Sequence, residues 1–94
     1  MIDLTGKTVL VTGGARGIGA EIVRTMADAG ADVILHFTSD AEVAGKVASE
    51  IGEHRCRVLR ADFMDDHQIR QLWSDAVAWK GRVDVLVNNA GVFE

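Results

Sequence analysis

The chain has 94 residues, and its ten Lys and Arg stand against fourteen Asp and Glu for a net charge of -4. That length allows one small domain, and 48% apolar residues are enough to build a core, which argues against disorder. The acid excess argues against a nucleic-acid partner, no apolar run is long enough to cross a membrane or reads as a signal peptide, and the single Cys56 excludes an internal disulfide and fits a reducing cytoplasm.

The run Thr8-Val9-Leu10-Val11 predicts a first strand over 8–12, apolar on both faces as a central parallel strand must be. Next comes Thr12-Gly13-Gly14-Ala15-Arg16-Gly17-Ile18-Gly19, which opens an amphipathic helix over 17–29. Ile18, Ile22, Met26 and Ala29 recur at helical spacing and form its expected buried stripe, and Gly30 supplies a left-handed cap. Val33-Ile34-Leu35 centres a second buried strand over 32–37. Ser39-Asp40-Ala41-Glu42 has the form of a capping box, so a second helix is expected to begin there. It runs to about Ile51, carries Val43, Val47 and Ile51 on its apolar side, and ends at Gly52. A short third strand is expected over 57–60. Asp65-Asp66-His67-Gln68 reads as another helix start, and Ile69, Leu72, Trp73, Ala76 and Val77 follow as an apolar stripe that places Trp73 in the core. Gly81 closes this helix. The last predicted strand covers 84–87 and runs directly into Asn88-Asn89-Ala90-Gly91.

This order, β-α-β-α-β-α-β with short connections, predicts a doubly wound parallel α/β sheet of the Rossmann type. Right-handed crossovers place its strands in the order 3-2-1-4. The crevice between strands 1 and 4 is then the topological switch point, walled by the glycine turn and the Asn-Asn-Ala-Gly turn. A strand, a glycine-rich turn and a helix in that order suit a dinucleotide's pyrophosphate. Unpaired N–H groups at a helix N-terminus attract an anion, and glycines let it approach without a Cβ in the way.

With Thr12, Gly13, Gly17 and Gly19 meeting Thr-Gly-x-x-x-Gly-x-Gly, and Asn88 to Gly91 meeting Asn-Asn-Ala-Gly, the chain resembles the short-chain dehydrogenase/reductase family. It looks most like the 3-oxoacyl-carrier-protein reductase type of member. The resemblance implies roles position by position. Gly13 makes the tight turn, Gly14 and Ala15 are likewise expected to bind the cofactor, Gly17 lets the backbone reach the pyrophosphate, and Gly19 allows close packing. The N–H groups of Arg16, Gly17 and Ile18 face phosphate. Asp62 accepts from the adenine amino group, the Phe63 backbone meets the ring edge, and Asn89, Ala90 and Gly91 line the adenosine ribose. Asn88 is equally suited to bracing the sheet.

The resemblance also bears on which nicotinamide cofactor is used. Relatives that use NAD usually carry an acid at the end of strand 2, where this chain has Phe37. Thr38 and Ser39 can donate hydroxyls, and Arg16 offers a planar guanidinium to a 2′-phosphate. Asp40 argues the other way. These charges favour NADP, with NAD the alternative. His36, His54, His67 and Cys56 match no zinc spacing, so no metal site is expected and surface or packing roles are preferred. Arg55, Arg57 and Arg60 are expected to protect an edge strand, and the place of Trp79 is left open.

The family's catalytic Tyr-x-x-x-Lys pair is absent, since the chain has no Tyr. Residues 1–94 therefore read as the N-terminal, dinucleotide-binding segment of a single domain whose catalytic C-terminal half is lacking, so no catalytic residue is assigned. The full-length protein is expected to be a homo-oligomeric oxidoreductase acting on a small carbonyl or alcohol. A non-catalytic nucleotide-binding module, and an interaction fragment completed by a second chain through an exposed strand 4, are the alternatives.

Overall fold

The computed structural model describes residues 2–89. Its elements are β1 (Thr8–Val11), α1 (Gly17–Asp28), β2 (Asp32–Phe37), α2 (Ala41–Ile51), β3 (Cys56–Arg60), α3 (Asp66–Lys80) and β4 (Val85–Val87). The strands form one parallel sheet in the order β3-β2-β1-β4, as the crossover argument requires. The register sets Val11 beside Leu35 on one flank and Val87 on the other, so β1 and β4 end together at the switch point while β2 runs two residues further to Phe37.

Alternation along the strands supplies two cores. Val9, Val11, Val33, Leu35 and Phe37 face α1 and α2, where they meet Val23, Ala27, Ala44 and Val47. Leu10 and Ile34 face the opposite side and meet Ala76 of α3, with Leu59, Trp79 and Val83 packed at the margin. The sheet is thus covered on both faces, which explains why β1 is buried at every position.

Three expectations are corrected by this packing. The buried stripe of α1 is Gly19, Ala20, Val23 and Ala27 rather than Ile18, Ile22, Met26 and Ala29. Small residues lie directly against the sheet, Ile22 and Met26 are half-buried and pack at the margin of the same core, and Ile18 is 69% exposed. Trp73 is not core: α3 turns Leu72 and Ala76 inward and leaves Trp73 48% exposed. The capping box at α2 is not formed. Asp40, not Ser39, is the N-cap residue, it sits at φ 69°, and no side chain caps the helix.

The helix ends follow ordinary capping chemistry. At the end of α1 the Gly30 N–H donates to the Ala27 carbonyl and the Ala31 N–H to the Met26 carbonyl, at 3.0 and 3.1 Å. Arg55 adds to this end, donating to the carbonyls of Ala27 and Ala31. Arg57 and Lys80 instead lie over the half-buried ring of Trp79, at 5.6 and 4.8 Å from its centre. β4 is anchored at its start by Asp84, whose carboxylate accepts the Thr8 N–H at 2.8 Å. That bond and the Arg82 guanidinium hold the Asp84 carboxyl below the usual range. Beyond this anchor β4 lies at the sheet edge, with Val85 and Leu86 exposed.

Candidate functional site: a glycine turn at the switch point

The segment between β1 and α1 divides sharply by exposure. Gly14, Ala15 and Gly19 are buried, whereas Arg16, Gly17 and Ile18 are exposed. These three are the residues whose N–H groups the sequence directs at phosphate. No side chain caps α1, and its first turn carries no acid. A helix start left without a carboxylate keeps its partial positive charge available.

Two glycines are required here for different reasons. Gly17 has φ 51°, and a Cβ at this position would point into open space, so the shelf in front of the helix is clear. Gly19 is the opposite case. A Cβ there would fall 1.9 Å from the Gly13 carbonyl oxygen and 2.7 Å from Asn89 Nδ2. Gly14 is also tight, with its Cα side against Leu35 and Val23, and Ala15 packs into the α1–α2 core. These two shape the turn from behind rather than facing its open side.

The turn is held from three directions. Behind it, the Gly13 N–H donates to His36 Nδ1 at 3.0 Å and the Gly14 N–H donates to the His36 carbonyl at 2.8 Å. From the β4 side, Asn89 Nδ2 donates to the Gly13 carbonyl at 3.1 Å. Thr12 is the node beneath: its hydroxyl bonds Asn88 Oδ1 at 3.1 Å and accepts the Asn89 N–H at 2.8 Å. Asn88 thus braces the strand ends. Asn89 is described with this bracing bond, while Ala90 and Gly91 lie outside the described residues.

The second wall is the loop after β3. The Asp62 N–H donates to Gln68 Oε1 at 2.9 Å, and Asp62 Oδ1 accepts the Met64 N–H at 2.9 Å, so this loop is tied to the start of α3. Phe63 stacks on the His36 ring, with centroids 4.3 Å apart and planes 11° from parallel. Thr38 donates its hydroxyl to the Ala61 carbonyl at 3.2 Å, which binds it to the same wall. Phe37 is buried in the core, so no carboxylate stands at the end of β2.

Arg16 and Asp40 form an ion pair between the exposed turn and the head of α2. The acid that the sequence sets against a 2′-phosphate is thereby neutralised by the cation expected to bind one.

His36 is the residue that sequence reasoning undervalued. It is completely buried, and burial pushes its pKa down. A polar side chain inside an otherwise apolar strand, Val33-Ile34-Leu35-His36-Phe37, was the available signal, because such a group requires partners. Among the described residues no cluster of His, Cys, Asp and Glu could hold a metal ion. No helix among them is long and apolar enough to cross a membrane. A groove of about 810 Å³ lies elsewhere, along β3 between α2 and α3, bounded by Gly52, His54, Arg57 and Trp79.

A doubly wound parallel sheet with an uncapped helix start at its switch point defines a nucleotide-binding type of α/β protein. Residues 7–94 match the short chain dehydrogenase family, and the chain belongs to it. It is 46% identical to oxidoreductase UcpA of Salmonella typhimurium over 94 residues, covering 98% of this chain and 35% of that protein. A blue fluorescent protein from a metagenomic library, solved in complex with NADPH, superposes with a TM-score of 0.90 at 45% identity. That match covers 98% of this chain and 39% of the other. A short chain dehydrogenase from Burkholderia cenocepacia in complex with NADP gives 0.90 at 41% identity, covering 97% and 38%. The chain thus spans about a third of the length of the curated relatives it matches.

Proposed function

We propose that this chain is the N-terminal, dinucleotide-binding segment of an NADP(H)-dependent oxidoreductase, and that it holds the adenosine and pyrophosphate half of the cofactor. The observation that carries the reading is the start of α1. It is exposed at Arg16, Gly17 and Ile18, free of any capping side chain or first-turn acid, and clear in front of Gly17. That donor set fits a diphosphate, which needs N–H groups and no competing carboxylate.

In this reading the pyrophosphate lies on the N–H groups of Arg16, Gly17 and Ile18, with Gly13, Gly14, Ala15 and Gly19 shaping the turn behind them. The adenine rests against Asp62 and Phe63, and Asn89, Ala90 and Gly91 flank its ribose. Arg16 and Thr38 attend the 2′-phosphate. An incoming phosphate competes with Asp40 for the Arg16 guanidinium, and this exchange favours NADP over NAD because only the former brings a second anion to the pair. The two structural relatives solved with NADPH and NADP support the same preference.

The bound cofactor supplies or accepts the hydride. This chain's residues bind and orient its adenosine end, leaving the nicotinamide to groups outside them. The whole protein accordingly moves hydride between nicotinamide and a small carbonyl or alcohol, with the family's Tyr-x-x-x-Lys pair handling the proton. The buried free thiol of Cys56, pushed up to about 11 by burial, suits a reducing cytoplasm.

The test is amide mapping by NMR with added NADP⁺. The reading predicts shifts concentrated at Gly13 to Gly19 and at Asp62 and Phe63. Shifts centred on the groove by Gly52, Arg57 and Trp79, with the turn unmoved, would overturn it.

A further inference from the structure

His36 joins the two walls of the proposed site, and nothing else among the described contacts does so through one side chain. Its Nδ1 accepts the Gly13 N–H, its Nε2 lies 2.9 Å from the Ala61 carbonyl, and its face stacks on Phe63. A nitrogen that accepts a backbone N–H carries no proton, and a nitrogen beside a carbonyl must donate. The two bonds together therefore fix the neutral Nε2–H tautomer.

We propose that His36 is a positioning residue for the dinucleotide: its neutral Nε2–H form locks the glycine turn against the loop after β3, and protonation at Nδ1 releases the turn. The consequence for binding rests on the nucleotide reading above, whereas the lock itself rests on the geometry alone. A proton on Nδ1 would set two donors facing each other, leaving the half-buried Gly13 N–H without its acceptor. The turn would move at Gly13, where Asn89 also holds it and against which Gly19 packs.

Burial drives the His36 pKa below its ordinary value, and the bond to Ala61 opposes this only partly. The charged or titratable groups on the surrounding segments are Arg16 of the turn, Asp40 before α2, Arg60 of β3, Asp62 and Asp65 after it, and Asp66, His67 and Arg70 in the first turns of α3. Arg16 and Asp40 pair with each other, Arg60 donates to Gln68, Asp62 accepts from Met64, and Asp65 caps α3. None is hydrogen-bonded to the ring, so desolvation governs it. The sign follows: the neutral form is favoured by the fold, its contribution is complete above the ordinary histidine value of about 6.5, and it is lost as pH falls below that.

Two measurements test the proposal. The first follows the His36 ring nitrogens and the Gly13 amide of the ¹⁵N-labelled chain by NMR, without ligand, as pH is lowered from about 7.5 until the ring has titrated. The Gly13 amide is expected to shift with the same midpoint as the ring. The second compares NADP⁺ affinity of the native chain, His36→Asn and His36→Leu at both ends of that range. Asparagine keeps an acceptor for Gly13 but gains no proton, and the 2′-phosphate's own titration is common to all three. One pH unit below the measured ring midpoint, native affinity should have fallen roughly tenfold more than that of His36→Asn, and His36→Leu should be weak throughout. A Gly13 amide that ignores the ring, or parallel pH profiles for the native chain and His36→Asn, would overturn the role of His36. Coupled resonances without NADP⁺ binding at about pH 7.5 would leave the lock standing and overturn the nucleotide reading and its consequence.

Discussion

The starts of α1 and α3 have the same electrostatic character and opposite treatment. Both present unpaired N–H groups and a partial positive charge. At α3 the Asp65 carboxylate accepts the N–H groups of His67 and Gln68, and Asp66 adds a second acid in the first turn. The Gln68 side chain also donates to Asp65, and these bonds hold the Asp65 carboxyl below its usual range. At α1 no side chain fills that place and no acid occupies the first turn. One helix start is completed by the chain's own side chains, and the other has no side-chain acceptor and no first-turn acid. α2 also lacks a side-chain cap but carries Glu42 in its first turn, so α1 is the start with neither a cap nor an acid.

Substitutions at the two starts can break this contrast. The largest effect is expected at Gly19, where even Ala places a carbon 1.9 Å from the Gly13 carbonyl. Gly19→Ala should cost about 3 kcal/mol or more of stability, at or above the usual range for overpacking, and urea unfolding measures it. A native-like midpoint would show that the turn yields easily.

Next comes Ile18→Asp, which gives α1 the acid that α3 already has. Ile18 is exposed, so the fold should tolerate it. Stability should rise by about 0.3–1 kcal/mol through the helix charge, while NADP⁺ affinity falls at least about tenfold. Opposite signs in thermal unfolding and in titration are the expected signature, and a gain in both would refute an anion site at α1.

Arg16→Glu removes the partner of Asp40 and faces it with a like charge. NADPH affinity should drop about tenfold more than NADH affinity. Equal losses in fluorescence titration would remove Arg16 from recognition of the 2′-phosphate.

The smallest effect on binding is expected from Asp65→Ala. It should lower the unfolding midpoint through lost capping and leave NADP⁺ affinity within about twofold.

Much of this was legible in the sequence because it depends on period and punctuation. Apolar runs of strand length, helical spacing and closing glycines give the seven elements, and right-handed crossovers give the order β3-β2-β1-β4. The exposed trio Arg16, Gly17 and Ile18 follows from the motif. Less legible was anything that depends on how closely elements approach. The α1 stripe moved to Gly19, Ala20, Val23 and Ala27 because small residues let the helix sit tight on the sheet, a preference that hydrophobicity alone does not encode. Trp73 shares the spacing of Leu72 and Ala76, but only the latter two lie under the helix. The capping box at Ser39 and Glu42 is not formed: the helix starts one residue later, with Asp40 as N-cap and paired with Arg16, 24 positions earlier in the chain. Long-range partners also account for His36: Gly13, Ala61 and Phe63 converge on it only after β1, β2 and β3 are side by side.

The central claim is that the start of α1 is kept open for the diphosphate of an NADP(H) cofactor. Calorimetric titration of the folded chain with NADPH and then NADH tests it most directly. Saturable binding is predicted, tighter for NADPH. A chain that unfolds cooperatively yet gives no binding heat with either cofactor would contradict it.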